Sequence, residues 1–220
     1  MIKAIIFDFD GVILESVDIK KEAFIKLYST YGKDVVQKVH NHHIENGGMS
    51  RYDKIKHYHK NFIGIDPTQT ELIRFTKKFS EIVFEKVINA PYVNGALEFI
   101  QDNYKKYSLF ISTATPTDEI NLILKAKKIS DYFIGVYGSP DIKKKHIIKI
   151  GRKFNFDLNE MIMFGDSTSD LIAAKDCSIQ FVLRMYKNNV TLFKEYGGHI
   201  ISDFTEREKL NLILDDLRIV

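Results

Sequence analysis

Four short segments of the sequence carry side chains that could do chemistry together. Asp8 and Asp10 stand two residues apart, so both carboxylates can face the same side of a chain that is leaving a strand for a loop. A hydroxyl group, a run of lysines and a second pair of carboxylates follow later in the chain. Carboxylate, hydroxyl and ammonium groups can serve as nucleophiles, as proton donors or acceptors, and as fixed charges in a reaction. The later segments contain Thr113, then Lys143, Lys144 and Lys145, then Asp166 and Asp170.

Each of these segments comes after a stretch with the composition of a buried strand. Residues 3–9 are apolar and rich in β-branched side chains, and they run into an Asp-Gly pair that is typical of a tight turn. Continuous apolar runs of this kind are typical of parallel strands covered on both faces. The carboxyl ends of such strands converge on one crevice, so we expect the reactive side chains to meet there. The other predicted strands are residues 109–112, 133–137, 161–164 and 180–183, with 199–201 as a candidate sixth.

Helical patterns alternate with the later strands, which predicts a doubly wound, mostly parallel, Rossmann-like α/β sheet. The stretch 16–89 is different, because it contains several helical stripes and no convincing strand. We therefore predict a catalytic core of residues 1–15 and 90–220 with an inserted α-helical cap of residues 16–89. The predicted core helices are residues 118–128, 144–154, 168–175 and 207–217.

Composition narrows the possible classes of protein. A formal net charge of +3 is too small to indicate nucleic-acid binding. The N-terminal apolar stretch runs straight into acidic residues, unlike a signal peptide, and no apolar run approaches the roughly 18 residues of a membrane span. Cys177 is the single cysteine, so no disulfide can form within the chain, and we interpret it as a packing residue. We expect a cytoplasmic protein with neither a nucleic-acid nor a membrane partner.

Taken together, the four segments resemble the four motifs of the haloacid dehalogenase superfamily, in the same order and behind predicted strands. Each motif alone is common, but the ordered set is specific, and the resemblance extends over nearly the whole chain. It includes the helical cap between the first two motifs, as in the capped phosphoglycolate phosphatases and β-phosphoglucomutases. The resemblance implies an enzyme that uses Mg²⁺ and acts on a small phosphorylated metabolite.

The resemblance also implies a role for each acidic residue. Asp8 would attack phosphorus and form an aspartyl-phosphate. Asp10 would protonate the leaving oxygen and then act as the base for the attacking water. Mg²⁺ would be held by the Asp8 carboxylate, the Asp10 backbone carbonyl and Asp166, with Asp170 supporting that shell or ligating directly.

The second and third motifs bind the phosphoryl group in this comparison. Thr113 and the Ala114 amide would donate hydrogen bonds to its oxygens, and a lysine would balance the accumulated negative charge. Ser112 is the alternative to Thr113, which is preferred because Thr-Ala-Thr-Pro resembles the family's second motif. Among the lysines, the helical stripe favours Lys143, with Lys144 as a competitor and Lys145 as a weaker one.

Further residues bear on the reaction and the substrate. Dehalogenases of the superfamily lack the second aspartate of the first motif, so Asp10 favours phosphate esters or anhydrides. Residues 47–51 resemble the Gly-x-Ser-Arg segment of capped sugar-phosphate enzymes, which implies that Arg51 binds the non-reacting end of the substrate. Lys20 or Lys21 stands where β-phosphoglucomutases carry a cap histidine, so a phosphatase is preferred over a sugar phosphomutase. A non-catalytic metabolite-binding protein is the remaining alternative, disfavoured because all four motifs are present.

Overall fold

The computed structural model describes residues 1–215, and its centre is a sheet of six parallel strands in the order β3-β2-β1-β4-β5-β6. This agrees with the predicted α/β architecture. The strand predicted at 133–137 begins two residues later, because a 3₁₀ turn at Ser130–Tyr132 still holds the Phe133 N–H. The strands are β1 Ala4–Phe7, β2 Ser108–Pro116, β3 Gly135–Ser139, β4 Met161–Gly165, β5 Gln180–Arg184 and β6 His199–Ile201.

Helices cover both faces of this sheet. Successive side chains of β1 point to opposite sides, so Ile5 and Phe7 join one buried cluster while Ala4 and Ile6 join another. The first cluster includes apolar residues of α5, α6 and α9, and the second includes those of α7 and α8. The core helices are α5 Ala96–Asn103, α6 Thr117–Ala126, α7 Lys143–Phe154, α8 Thr168–Asp176 and α9 Arg207–Asp215.

The limits of these helices differ slightly from the predicted ones. The helix α6 ends before Lys128, which adopts a left-handed backbone conformation with φ of 59°. The helix predicted at 207–217 is described as far as Asp215, and its last two residues lie outside the described residues. Within residues 1–215, no helix combines the length and the apolar character that crossing a membrane requires.

We propose that four of the helices between β1 and β2 form the inserted cap, and aromatic side chains pack between these helices. The rings of Phe24 and Phe79 lie 4.2 Å apart, and Tyr58 meets Phe24 edge-on. Ser50 and Thr68 cap the last two helices through their hydroxyl oxygens. We propose 16–89 as the limits of the cap. The cap helices are α1 Val17–Tyr28, α2 Lys33–Glu45, α3 Arg51–Tyr58, which continues into a π-helical turn at His59–Ile63, and α4 Gln69–Ile88.

The register of the three central strands brings the motif residues to one edge of the sheet. Phe7, the last residue of β1, lies beside Ile111 of β2 and Phe164 of β4. The Asp8 N–H then donates to the Phe164 carbonyl at 2.8 Å, which ties the end of β1 to the end of β4. The segments that begin at Asp8, Ser112 and Gly165 therefore leave the sheet side by side.

Candidate active site

Asp8 lies at the end of β1 and lines a cavity of about 320 Å³ between the sheet and the cap. Its side chain is held from two directions. Oδ1 accepts a hydrogen bond from the Phe9 N–H at 2.7 Å, and Oδ2 lies 2.9 Å from Lys143 Nζ. Burial raises the pKa of the Asp8 carboxyl well above its usual range, against the opposing charge of Lys143, and nearby carboxylates add to the rise.

Lys143 is the lysine that reaches the cavity. It is the first residue of α7, and its Nζ also lies 2.5 Å from Asp170 Oδ1, so it bridges two carboxylates. Burial disfavours the charged form of Lys143, but the charges of Asp170 and Asp8 outweigh burial and raise its pKa. The ammonium group is therefore charged at neutral pH.

The structure does not bring Lys144 or Lys145 to the cavity. Lys144 is 43% exposed and pairs with Asp176 at 2.9 Å, while Lys145 is 68% exposed and pairs with Asp141. Each residue of an α-helix turns the side-chain direction by about 100°, so the side chains of the next two residues, Lys144 and Lys145, point away from the cavity. The inclusion of Lys144 among the site residues is corrected here for that reason.

Three buried carboxylates form the candidate metal centre. Oxygens of Asp8, Asp166 and Asp170 all lie within 4.8 Å of one another. Burial and the charge of Asp170 raise the pKa of Asp166 to about 7, although Lys143 and a hydrogen bond from Tyr186 oppose the rise. The single positive charge of Lys143 does not balance three carboxylates, so the cluster keeps an excess of negative charge. Hard oxygen donors with excess negative charge suit a divalent cation such as Mg²⁺, so the residues present fit the metal that the motifs imply.

Asp170 is arranged to position its neighbours. Oδ1 accepts from Lys143, and Oδ2 accepts from both the N–H and the hydroxyl of Ser167, at 3.1 and 2.5 Å. Both oxygens of this fully buried carboxylate are therefore engaged at the start of α8. The sequence left open whether Asp170 supports the metal ligands or is itself a ligand. This arrangement favours the supporting role.

The Asp10 carboxylate points toward the cap. Ser16 donates to Oδ1 at 2.6 Å, Thr115 donates to Oδ2 at 3.2 Å, and Lys20 of α1 forms a salt bridge with Oδ2. Lys20 Nζ also donates to the Thr115 hydroxyl at 2.7 Å. Burial works to raise the pKa of Asp10, but Lys20 and the two hydroxyl groups outweigh it, and the pKa is lowered.

Ser112 and Thr113 are successive residues of β2, so their side chains point to opposite sides of the strand. Thr113, Ala114 and Thr115 line the cavity, whereas the hydroxyl of Ser112 is hydrogen bonded to His146 Nδ1 at 2.9 Å. Ser112 is fully buried and committed to this contact, so Thr113 is the second-motif hydroxyl that faces the cavity.

Two glycines allow other loops to approach the segment that runs from the end of β4 into the start of α8. Gly11 has φ of +77°, and a Cβ atom there would lie 2.2 Å from Asp166 Oδ2. A Cβ atom at Gly48, in the cap loop, would lie 1.7 Å from the hydroxyl oxygen of Ser169. Glycine is therefore required at both positions, and the cap loop rests directly on the start of α8.

Arg51 lies on the cavity wall, but its guanidinium group is already bound. It forms a two-pronged salt bridge with Glu119 of α6, with both N–O distances at 2.6 Å, and donates to the Ser80 hydroxyl at 2.6 Å. The group also lies 4.8 Å from the centre of the Phe79 ring. In this arrangement Arg51 joins cap to core, and its charge is neutralised by Glu119. The sequence-based expectation that Arg51 binds substrate is not supported by these contacts.

Comparison with known proteins identifies the family of this chain. A model of the family described as haloacid dehalogenase-like hydrolase matches residues 5–184, which contain all four motifs. The chain belongs to the haloacid dehalogenase-like hydrolase family. The sequence-based resemblance is thereby confirmed.

Named relatives of this haloacid dehalogenase-like hydrolase are distant. It is 26% identical over 150 residues to a phosphoglycolate phosphatase of Haemophilus influenzae, a match that covers 63% of this chain and 66% of that protein. It is 28% identical over 193 residues to a phosphorylated carbohydrates phosphatase of Thermotoga maritima, covering 81% and 82%. The solved structure of a β-phosphoglucomutase from Clostridium difficile superposes with a TM-score of 0.78 at 18% identity over 98% of both chains, which shows a shared fold.

Residues that the motifs did not indicate also form hydrogen bonds at this site. The Tyr186 hydroxyl donates to Asp166 Oδ2 at 2.8 Å, and Asn189 Nδ2 donates to the Asp166 carbonyl at 2.9 Å. Arg184, at the end of β5, donates to the Gly11 carbonyl at 3.0 Å. A useful signal was available, because β5 was predicted and its carboxyl end reaches the same edge of the sheet. Applying the strand-end rule to β5 would have found these residues.

Proposed function

We propose that this protein is a magnesium-dependent phosphatase that hydrolyses a small phosphorylated metabolite through an aspartyl-phosphate on Asp8. The observation that carries the proposal is the buried cluster of Asp8, Lys143 and Asp166 on the wall of a cavity, with Asp10 two residues further along. The cavity volume of about 320 Å³ suits a small metabolite. The relatives with named activities cited above include two phosphatases.

In the first step, an Asp8 carboxylate oxygen would form a bond to phosphorus while the bond to the leaving oxygen breaks. The Phe9 N–H and Lys143 hold the two Asp8 oxygens, which limits rotation of the nucleophile before attack. A magnesium ion held by Asp8, Asp166 and the Asp10 carbonyl would stabilise negative charge on the phosphoryl oxygens. Lys143 adds a fixed positive charge at the same place.

Asp10 would serve both halves of the reaction. It would give a proton to the leaving oxygen and later take one from the water that attacks the aspartyl-phosphate. The lowered pKa of Asp10 favours the ionised form that the second step requires, so Asp10 would have to take up a proton before it protonates the leaving oxygen in the first step. Thr113 and the Ala114 amide would donate hydrogen bonds to the phosphoryl oxygens, since both residues line the cavity.

The test is hydrolysis of an aryl phosphate and of sugar phosphates by purified protein, with and without Mg²⁺. We expect activity that needs Mg²⁺ and is lost in Asp8→Asn, because the change removes the nucleophile and a metal ligand together. Asp141→Asn is the control, since Asp141 is half exposed and pairs with the surface lysine Lys145. Substantial activity of Asp8→Asn in excess Mg²⁺ would refute the covalent mechanism.

Phosphorus NMR of the same reactions separates hydrolysis from isomerisation. We expect inorganic phosphate to appear in proportion to the ester consumed, with no need for a bisphosphate activator. If the ester signal instead moves to a second position of the sugar while free phosphate stays flat, the protein is a phosphomutase.

A further inference from the structure

Lys54 is a buried cation on the cavity wall with no carboxylate partner among residues 1–215. It belongs to α3 of the cap and is only 1% exposed. Its Nζ lies 3.1 Å from His43 Nδ1 and 3.4 Å from the Gly47 carbonyl, and the Phe24 ring lies beneath it at 5.6 Å. None of these three partners carries a negative charge.

The neutrality of His43 follows from its surroundings. Burial and the charge of Lys54 lower the pKa of His43 to about 2, so the imidazole is uncharged at neutral pH. Because Nδ1 accepts from Lys54, the ring proton is on Nε2. The pair thus offers donors but no negative charge.

The other lysine and arginine side chains that line the cavity are already neutralised. Each of them forms a salt bridge with a carboxylate of the protein within the described part of the chain. These pairs are Lys20 with Asp10, Lys21 with Asp18, Arg51 with Glu119, and Lys143 with Asp8 and Asp170.

An uncompensated buried ammonium is costly, and proteins normally pair or neutralise such a group. Burial and the nearby charge of Lys20 lower the pKa of Lys54 to about 7, with Asp10 opposing the shift. An anion bound beside Lys54 would supply the missing counter-charge in a setting of low dielectric. The cavity also reaches Asp8, so one small molecule can extend from the nucleophile to Lys54.

We propose that Lys54, assisted by His43, binds a second anionic group of the substrate, at the end opposite to the phosphoryl group that Asp8 attacks. The inference rests on the proposed phosphatase function and narrows its substrate class. That class is small phosphate monoesters that carry a further carboxylate or phosphate. Lys54 then determines substrate specificity, which is the role that the sequence motif suggested for Arg51.

The experiment compares esters that differ in one end group. Phosphoglycolate and 2-hydroxyethyl phosphate have the same length, but the first ends in a carboxylate and the second in a hydroxymethyl group. Ethylene glycol bisphosphate places a phosphate at that end and identifies which anion is preferred. Wild-type protein should show a higher kcat/KM for at least one of the two anionic esters than for the neutral one.

Lys54→Met should lower kcat/KM for the preferred anionic ester at least about tenfold, as expected for loss of a charged hydrogen bond, and leave the neutral ester within about threefold. Lys56→Met is the matched control, because Lys56 lies on the same helix with its side chain exposed. The melting temperature of Lys54→Met should be unchanged or higher, since an apolar chain replaces an unpaired buried charge. Equal losses on all three esters, or no loss, would overturn the inference.

A binding measurement separates this inference from the proposed function. Calorimetric titration of Asp8→Asn protein with phosphoglycolate, the bisphosphate and 2-hydroxyethyl phosphate reports recognition without turnover. An anion preference that disappears when Lys54→Met is added supports the inference even if the wild-type protein hydrolyses none of the esters, in which case the proposed function alone has failed. Absence of any anion preference in both proteins overturns the inference, whatever the hydrolysis assays show.

Discussion

Arg51→Met should destabilise the protein strongly, because it leaves Glu119 as an unpaired buried charge. The side chains of Arg51 and Glu119 are 6% and 11% exposed, so solvent screens their interaction poorly. Removing one member of a buried ion pair costs about 3–5 kcal/mol in the free energy of unfolding. Lost packing of the arginine stem against Phe79 adds to this cost.

A double-mutant cycle tests that reasoning. In Arg51→Met/Glu119→Gln neither member of this pair carries a charge, so we expect most of the loss to be recovered and a coupling energy of about 2 kcal/mol or more. Urea denaturation of the wild type, both single variants and the double variant gives all four free energies of unfolding. A loss below about 1 kcal/mol in Arg51→Met, with additive effects, would show that the pair behaves as a screened surface contact.

The same pair predicts a dependence of stability on pH. Burial alone would raise the pKa of Glu119, but the hydrogen bonds and charge of Arg51 outweigh burial and lower it. A carboxyl whose pKa is lower in the folded state stabilises the protein above its unfolded pKa, about 4.3 for glutamate. That contribution is lost as the pH falls through the folded value. Acid should therefore destabilise the wild type more steeply than the double variant below about pH 4.3.

Two further predictions concern lysines at the candidate site. Lys143→Ala should lower kcat for aryl phosphate hydrolysis by at least about a hundredfold, whereas Lys144→Ala should stay near the wild type, since Lys143 pairs with the proposed nucleophile Asp8 while Lys144 pairs with Asp176. Steady-state kinetics decides this, and equal losses would contradict the assignment. Lys20→Met should reduce kcat far more than Lys21→Met, because Lys20 bridges Asp10 and Thr115 while Lys21, also on the cavity wall, pairs with the exposed Asp18. Full activity of Lys20→Met would show that this bridge has no role in catalysis.

The sheet and the convergence of the motifs could be predicted because they depend on local patterns. Apolar runs ending at polar segments mark the parallel strands, and the carboxyl ends of neighbouring parallel strands meet by geometry. The choice of Lys143 over Lys144 depended on the phase of one helix, which the stripe of Ile147 and Ile150 fixes. The apolar runs of the strands and the phase of this helix can each be recognised from a few neighbouring residues.

The partners of Arg51 and Lys54 could not be predicted in this way. Glu119 is 68 residues from Arg51 in sequence, and nothing in the local pattern of α6 shows that it turns toward the cap. A short motif indicates that an arginine is present but not which carboxylate reaches it first. Lys54 followed the motif on a helix with many polar residues and had the composition of a solvated face. Its burial arises from the way α3 packs on Phe24, which is a tertiary contact.

The salt bridge between Lys20 and Asp10 limits how this protein can be recombined with its relatives. Asp10 belongs to the first motif, while Lys20 belongs to the first helix of the cap. The two units therefore share the salt bridge at the proposed acid–base residue, although they lie on opposite sides of the proposed boundary at residue 16. A chimera that received the cap of another enzyme would exchange the cation beside Asp10 along with the substrate-binding wall. Cap shuffling in this chain would thus alter the chemical step as well as substrate choice, and compensating changes near Asp10 would have to accompany it.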